Sequence, residues 1–173
     1  MTDLQLTSFA FSPGGEIPRK CGYKNGNINP PLTISGIPKG TKSLTLIMDD
    51  PDAMEPAGKV WVHWVLCNWG PTKTEIDEGF RLQMYKILMA KKDIGIVEGR
   101  NDFHEIGYGG PAPPDKRHTY VFKLYALDCT LDLPVETHVE GQGWMSSSTK
   151  ADVEKAMEGH IIEQTQLTGT YAP

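Results

Sequence analysis

Three aspartates and a proline directly follow an apolar stretch of the chain. Asp49-Asp50-Pro51-Asp52 comes after residues 43–48 (Ser-Leu-Thr-Leu-Ile-Met), which predict a strand. Proline keeps the residue before it extended, and residues two apart in extended chain face the same way, so Asp50 and Asp52 are predicted to point at one spot. There they can accept hydrogen bonds from a histidine. The alternative is a solvated turn in which an aspartate bonds nearby backbone.

Two histidines and a tyrosine belong to other predicted strands. His63 is the polar member of residues 60–67, which are apolar on both faces and predict a strand covered on two sides. His118 and Tyr120 are two apart where the predicted strand 119–127 begins, so they share a face. The alternative for each histidine is a packed core residue.

A segment rich in glycine and proline, residues 107–114 (Gly-Tyr-Gly-Gly-Pro-Ala-Pro-Pro), precedes that last strand. The N–H groups of Gly109 and Gly110 can form a nest for an anion. The prolines prevent the helix that follows a nucleotide-binding loop, so this class of site is excluded. The alternative is a rigid surface turn. Since all these groups lie at strand ends or beside stiff loops, we predict that they converge on one site.

Length and composition predict one domain, residues 1–173, with a single core. With 22 acidic and 17 basic side chains, the net charge of −5 argues against a nucleic-acid partner. Cys21, Cys67 and Cys129 fit neither a disulfide framework nor a zinc ribbon; Cys67 and Cys129 are interpreted as small core or turn residues. No apolar run approaches the roughly 20 residues that span a bilayer, and no signal peptide is recognised. We therefore expect a cytoplasmic protein that is not transmembrane.

The remaining elements are weaker strands and two helices. Residues 5–11 and 32–35 are predicted as additional strands. Thr149 with Asp152 predicts the start of a helix. Its apolar face is predicted to carry Val153, Ala156, Met157, His160 and Ile161. A shorter helix is predicted for residues 81–91, and His160 is interpreted as a packed histidine.

A series of motifs in this order resembles the phosphatidylethanolamine-binding protein (Raf kinase inhibitor protein-like) family, and most closely its bacterial and archaeal branch. The series covers nearly the whole chain. It consists of Asn29-Pro-Pro-Leu, Gly40-Thr-Lys-Ser-Leu, Asp49-Asp-Pro-Asp-Ala, Trp61-Val-His-Trp-Val, Tyr108-Gly-Gly-Pro-Ala-Pro-Pro, His118-Thr-Tyr, Glu158-Gly-His-Ile and Leu167-Thr-Gly-Thr-Tyr. The chain departs from the family pattern at Met54, where proline is usual, and at Thr119, where arginine is usual.

The resemblance implies a mainly β protein, a Greek-key β-sandwich with peripheral helices, and a small surface cavity that binds anions. Matched motif by motif, the cavity residues are Asp50, Asp52, Trp61, His63, Gly109, Gly110, His118 and Tyr120. The implied ligand is a phosphate-bearing small molecule or a phospholipid head group. The resemblance also allows a kinase or a serine protease as partner, and a homodimer. For protease inhibition, residues 70–73 or 111–114 are candidate rigid loops.

In this pocket the histidines, Tyr120 and the glycine N–H groups are expected to donate to the anion. Binding is then expected to strengthen as the pH falls from about 8 to about 6. If the site is a cavity rim, His118→Ala and Asp52→Ala leave the fold intact. We expect no enzyme activity and no cofactor, because no catalytic motif is present. The alternative is a metal-dependent hydrolase or lyase that uses the His/Asp cluster.

Overall fold

Strands make up most of the regular structure in the computed structural model, which describes residues 3–81, 95–139, 143–146 and 148–173. The strands are β1 (Gln5–Thr7), β2 (Leu32–Ser35), β3 (Ser43–Asp50), β4 (Trp61–Trp69), β5 (Glu75–Ile76), β6 (Val97–Glu98), β7 (His118–Leu127), β8 (Val135–Val139), β9 (Gly143–Ser146) and β10 (Ile161–Tyr171). The helices are α1 (Met54–Ala57) and α2 (Lys150–Met157), with short 3-10 turns at Arg19–Cys21 and Pro51–Ala53. The helix predicted for residues 81–91 falls, beyond Arg81, outside the described residues.

The strands form a five-stranded sheet and a smaller three-stranded sheet, with β8 and β9 as a separate pair. The large sheet has the order β10-β7-β3-β4-β6, and the small one has β1-β2-β5. Each pair of neighbours within them is antiparallel. β3 thus lies beside β7 and β7 beside β10, although long connections separate these strands in sequence. The predicted β-sandwich is confirmed.

β3 lies at the centre of the large sheet, and both of its faces are covered. All eight of its residues are buried. On one face, Leu44, Leu46 and Met48 join the core that includes residues of β1 and β2. On the other face, Ile47 packs in a second cluster with Val153 and other residues near α2. The alternation of side chains along a strand sends Asp49 and Asp50 to opposite faces.

Asp49 ties α2 to the sheet. Its Oδ2 accepts hydrogen bonds from Lys123 Nζ and Lys150 Nζ, both at 2.7 Å. Lys150 is the first residue of α2, and Lys123 lies on β7. Asp49 is 1% exposed, so burying its charge is costly. The two ammonium groups offset much of this cost.

The C-terminal helix is shorter than predicted. Thr149 caps it through a capping box with Asp152, as the sequence indicates. The helix ends at Met157, and Gly159 adopts φ +79°, a left-handed conformation that glycine tolerates. The prediction that His160 and Ile161 extend its apolar face is wrong, because His160 lies in the following turn and Ile161 begins β10.

Candidate functional site

The predicted polar residues meet at one end of the large sheet, on β3, β4 and β7. Asp50 is the last residue of β3 and pairs with Trp61, the first residue of β4. His118 begins β7, on the other side of β3. The rings of His63 and Tyr120 are 5.1 Å apart, and those of His118 and Tyr120 are 6.5 Å apart. The order of the strands therefore brings groups together that are far apart in sequence.

His118 is held between two carboxylates. Its Nδ1 is 2.7 Å from Asp50 Oδ2, and its Nε2 is 2.9 Å from Asp115 Oδ1. A carboxylate oxygen only accepts when it is ionised, so both ring nitrogens must donate. His118 is therefore an imidazolium in this arrangement.

The pKa values of the His118 cluster agree with this charge state. Burial alone lowers the pKa of His118, but its hydrogen bonds to Asp50 and Asp115, and their charges, outweigh burial and raise it above 6.5. Burial likewise acts to raise the pKa of Asp115, but hydrogen bonds from the Lys116 backbone and from His118 outweigh it, so the pKa falls below its usual 3.8. The raised pKa of His118 and the lowered pKa of Asp115 both favour an imidazolium paired with a carboxylate.

Asp50 and Asp52 reach β7 by a route that differs from the sequence prediction. The residues after Asp50 form a 3-10 turn, Pro51–Ala53, rather than extended chain. Asp50 Oδ1 caps this turn by accepting from the Ala53 N–H at 3.1 Å, while its Oδ2 accepts from His118. Asp52 Oδ2 accepts from the Thr119 N–H at 2.7 Å. Both aspartates thus fix the start of β7.

Two buried donors of the predicted set have no hydrogen-bond partner. They are the Tyr120 hydroxyl and Trp61 Nε1. Burial, followed by the charge of Asp50, raises the pKa of Tyr120 far above 10, so the phenol keeps its proton. A buried donor without an acceptor costs about 1–3 kcal/mol. Buried donors of this kind indicate that an acceptor is missing.

His63 holds the glycine turn rather than facing open solvent. Its Nδ1 is 2.6 Å from the Gly109 carbonyl oxygen, so Nδ1 carries a proton and donates. Burial lowers the pKa of His63 and outweighs the opposing effects of the Gly109 carbonyl and the Asp50 charge. His63 is therefore neutral near pH 7.

We expect His63 to make the protein sensitive to acid. A lowered folded-state pKa gives a contribution to stability that is complete above the unfolded value of about 6.5 and is lost as the pH falls through the folded value. His63→Gln keeps a donor for Gly109 but cannot titrate. Chemical denaturation between pH 7 and 4.5 should show a steeper loss of unfolding free energy in wild type than in His63→Gln, and parallel curves would contradict this assignment.

The N–H groups of the glycine turn already have acceptors inside the protein. Gly109 donates to the His63 carbonyl oxygen at 2.8 Å, and Gly110 donates to Asn27 Oδ1 at 2.7 Å. The expectation that these two groups complete an anion nest is therefore not met. The glycines are needed for close approach, because a Cβ on Gly110 would lie 2.0 Å from the Cys21 carbonyl oxygen.

The cluster is closed over in this structure. Asp50, His63, His118 and Tyr120 are at most 3% exposed, whereas the Asp115 side chain is 41% exposed. Two cavities of about 250 and 260 Å³ lie among the described residues, and neither is lined by a predicted site residue. Asp115 follows the proline-rich segment. Its carboxylate accepts the hydrogen bond from His118 Nε2 on the side that faces solvent. A ligand that reaches His118 must displace it.

The chain matches the family model described as phosphatidylethanolamine-binding protein over residues 7–172. The chain belongs to this family. The resemblance inferred from the motif series is confirmed.

Relatives and solved structures of the family cover almost the whole chain. A UPF0098 protein of Methanothermobacter thermautotrophicus is 39% identical over 168 residues, which are 97% of this chain and 98% of the relative. The crystal structure of CT736 from Chlamydia trachomatis, a putative homologue in the family, has a TM-score of 0.81 and 37% identity, covering 99% and 98% of the two chains. Escherichia coli YbcL has a TM-score of 0.79 and 33% identity, covering 98% of each chain.

The alternative of a metal-dependent hydrolase or lyase finds no support in the arrangement of the predicted site residues. It requires His63, His118, Asp50 and Asp52 to aim their ligand atoms at one point. His118 instead bonds a different carboxylate through each nitrogen, and His63 Nδ1 is bonded to backbone. In the part of the chain that the structure describes, the group with metal-ligand spacing lies elsewhere.

Sequence reasoning missed three residues beside the predicted set. Asp115 bonds His118, and Asn27 holds Gly110. Phe103 packs with ring centroids 5.5 Å from both Trp61 and His63. An acidic residue three positions before His118 is a signal that could have been recognised. Asn27 and Phe103 come from loops distant in sequence and carry no such signal.

The structure shows no helix long and apolar enough to cross a membrane among the described residues.

Proposed function

We propose that this protein binds a small molecule bearing a phosphoryl group, through His118 and Tyr120, with Asp115 displaced. The observation that carries the proposal is a buried imidazolium next to the buried Tyr120 phenol, whose hydroxyl lies beside Asp50 and makes no well-formed hydrogen bond among the described residues. Phosphoryl oxygens are acceptors that suit both groups, since they can take one hydrogen bond from His118 Nε2 and another from the Tyr120 hydroxyl. Membership in the family supports the same class of ligand.

The charges around His118 favour a ligand that also carries a cation. Asp50, Asp52 and Asp115 are three carboxylates in or beside the cluster, and His118 is the cation that bonds two of them. Lys116 lies within electrostatic reach of Asp52 and Asp115, but it is paired with Glu55. Inorganic phosphate adds negative charge to this excess and is repelled. An ammonium group on the ligand can instead pair with Asp52, whose Oδ2 accepts from the Thr119 N–H. We therefore expect phosphoethanolamine to bind more tightly than phosphate.

Binding should weaken at alkaline pH. His118 donates through both nitrogens only while it is charged, and the raised pKa keeps that charge to a pH above 6.5. The direction agrees with the expectation from sequence, but the decline begins at higher pH because Asp50 and Asp115 hold the proton.

Tyr120→Phe separates binding from stability. Removing a buried hydroxyl that has no partner should leave the unfolding free energy unchanged or raise it by up to about 1–3 kcal/mol. Losing a hydrogen bond to a charged oxygen should weaken phosphoethanolamine binding about tenfold. Calorimetric titration of wild type and Tyr120→Phe at pH 7 measures this, with denaturant unfolding of the same samples. Equal affinity in the two proteins would remove Tyr120 from the site, and no saturable binding of phosphoethanolamine by wild type would contradict the proposed function.

We further propose that the protein acts in the cytoplasm, since its three cysteines are free and two of them are buried. A role as a rigid-loop protease inhibitor receives no support from residues 111–114. Pro111 and Pro113 are buried, so this segment is not presented to a protease.

A further inference from the structure

A second group of chemically active side chains lies where β7 ends and β10 begins. Asp128 and Cys129 follow β7, and His160 occupies the turn between α2 and β10. One ligand atom from each of the three residues lies within 4.8 Å of the others. No residue of this group belongs to the phosphoryl site. The interpretation of His160 as a packed histidine is wrong, because its side chain is 46% exposed.

Backbone hydrogen bonds fix the two segments against each other. The Asp128 N–H donates to the His160 carbonyl oxygen at 3.0 Å, and the His160 N–H donates to the Met157 carbonyl oxygen at 3.0 Å. Ser43 Oγ donates to the Cys129 carbonyl oxygen at 2.6 Å. The three side chains therefore project from anchored backbone and not from a free loop.

A cation can take the place of the proton that the imidazole and the carboxylate of this group share. His160 Nδ1 lies 2.8 Å from Asp128 Oδ1. When a divalent cation replaces the proton between them, Nδ1 and the carboxylate become neighbouring ligands on the same side of the ring. The Asp128 and His160 side chains are 54% and 46% exposed, so a cation can enter from solvent.

We propose that Asp128, Cys129 and His160 form a binding site for a divalent transition-metal cation such as Zn²⁺. Thiolate, imidazole and carboxylate are the donors that Zn²⁺ takes in proteins. Ligand atoms around tetrahedral zinc are about 3.5 Å apart. The ligand atoms of the three residues all lie within 4.8 Å of one another, so small rotations of the exposed Asp128 and His160 side chains can bring them to that spacing. Three protein ligands leave the fourth position to water.

The same residue types occur as nucleophile, base and orienting acid in cysteine hydrolases, so that role is the competing explanation. A nucleophilic cysteine needs a lowered pKa. Here burial and the charge of Asp128 raise the pKa of Cys129, although Lys42 opposes them. Without a metal the thiol therefore stays protonated, which disfavours nucleophilic attack.

The test is a titration of the reduced, chelator-treated full chain with Zn²⁺ in the presence of a competing indicator. Wild type should bind one Zn²⁺ per chain. Cys129→Ser and His160→Gln should each weaken binding by about 100-fold or more, and Asp128→Asn by about 10–100-fold. Asp132→Asn removes an exposed carboxylate nearby and should bind as wild type does. No binding by wild type, or equal binding in all variants, would overturn the proposal.

Two further measurements identify the ligands. Co²⁺ in place of Zn²⁺ should give a thiolate-to-metal charge-transfer band that Cys129→Ser lacks. Zn²⁺ should also slow the alkylation of Cys129 by iodoacetamide. The metal-free protein could instead be alkylated rapidly, at a rate that depends on His160, with no protection by Zn²⁺. This result would favour a role of Cys129 as a nucleophile and overturn the metal site.

Discussion

His118→Ala is expected to destabilise the protein by about 3–5 kcal/mol at pH 6, because it leaves the Asp50 carboxylate buried without its cation. Asp50 is 3% exposed and His118 is fully buried, so water cannot replace the lost partner without rearrangement. The sequence-based expectation that His118→Ala leaves the fold intact assumes that His118 lies at the rim of a cavity. The structure places His118 beneath the surface instead. Denaturant unfolding measures the difference.

The effect should depend on pH in a defined direction. A raised folded-state pKa gives stability that is complete below the unfolded value of about 6.5 and is lost as the pH rises through the folded value. The difference between wild type and His118→Ala should therefore shrink towards pH 9. His104→Asn is the matched control, since His104 is exposed and its φ of +64° is tolerated by asparagine. A difference that does not change with pH would contradict the imidazolium assignment.

Asp115→Ala is expected to strengthen phosphoethanolamine binding by about 10–100-fold. The substitution removes the acceptor that occupies His118 Nε2 and one negative charge beside the site, and tenfold corresponds to about 1.4 kcal/mol. Because Asp115 is partly exposed, the substitution should cost little stability. Calorimetric titration at pH 7 gives the affinity ratio directly.

Two controls separate displacement from net charge. Asp115→Asn removes the charge but keeps an acceptor for Nε2, so its affinity should fall between wild type and Asp115→Ala. Asp132→Ala changes the net charge by the same amount at an exposed position outside the site and should bind as wild type does. Weaker binding in Asp115→Ala would mean that Asp115 contributes to the ligand site instead of closing it.

Patterns of burial and turns predicted the central part of the fold. Residues 43–48 and 119–127 are confirmed as parts of β3 and β7, and all of the predicted strand 60–67 except Val60 lies in β4. Branched residues bounded by turn residues form these buried strands. β10 was missed. Its first residues continue the helical spacing of Val153 and Met157, and the left-handed Gly159 that separates the two elements is recognised only in three dimensions.

Sequence patterns predicted which residues come together at the site better than they predicted the hydrogen bonds that these residues make. Asp50, His63, His118 and Tyr120 do meet, since they lie near the ends of the neighbouring strands β3, β4 and β7. Their hydrogen-bond partners depend on loops that fold back over the sheet. Asn27 accepts the hydrogen bond from the Gly110 N–H, and Asp115 accepts the one from His118 Nε2. Donors that the sequence predicts for an anion therefore already have acceptors within the protein.

The most direct test of the account follows His118 itself during ligand binding. Nitrogen NMR of ¹⁵N-histidine-labelled protein at pH 7, with the His118 signals assigned through His118→Gln, reports whether each ring nitrogen carries a proton. The account predicts two protonated nitrogens in the free protein and a saturable shift of Nε2, larger than that of Nδ1, as phosphoethanolamine replaces Asp115. A neutral His118 in the free protein, or saturable binding that leaves both of its nitrogens unshifted, would contradict the account.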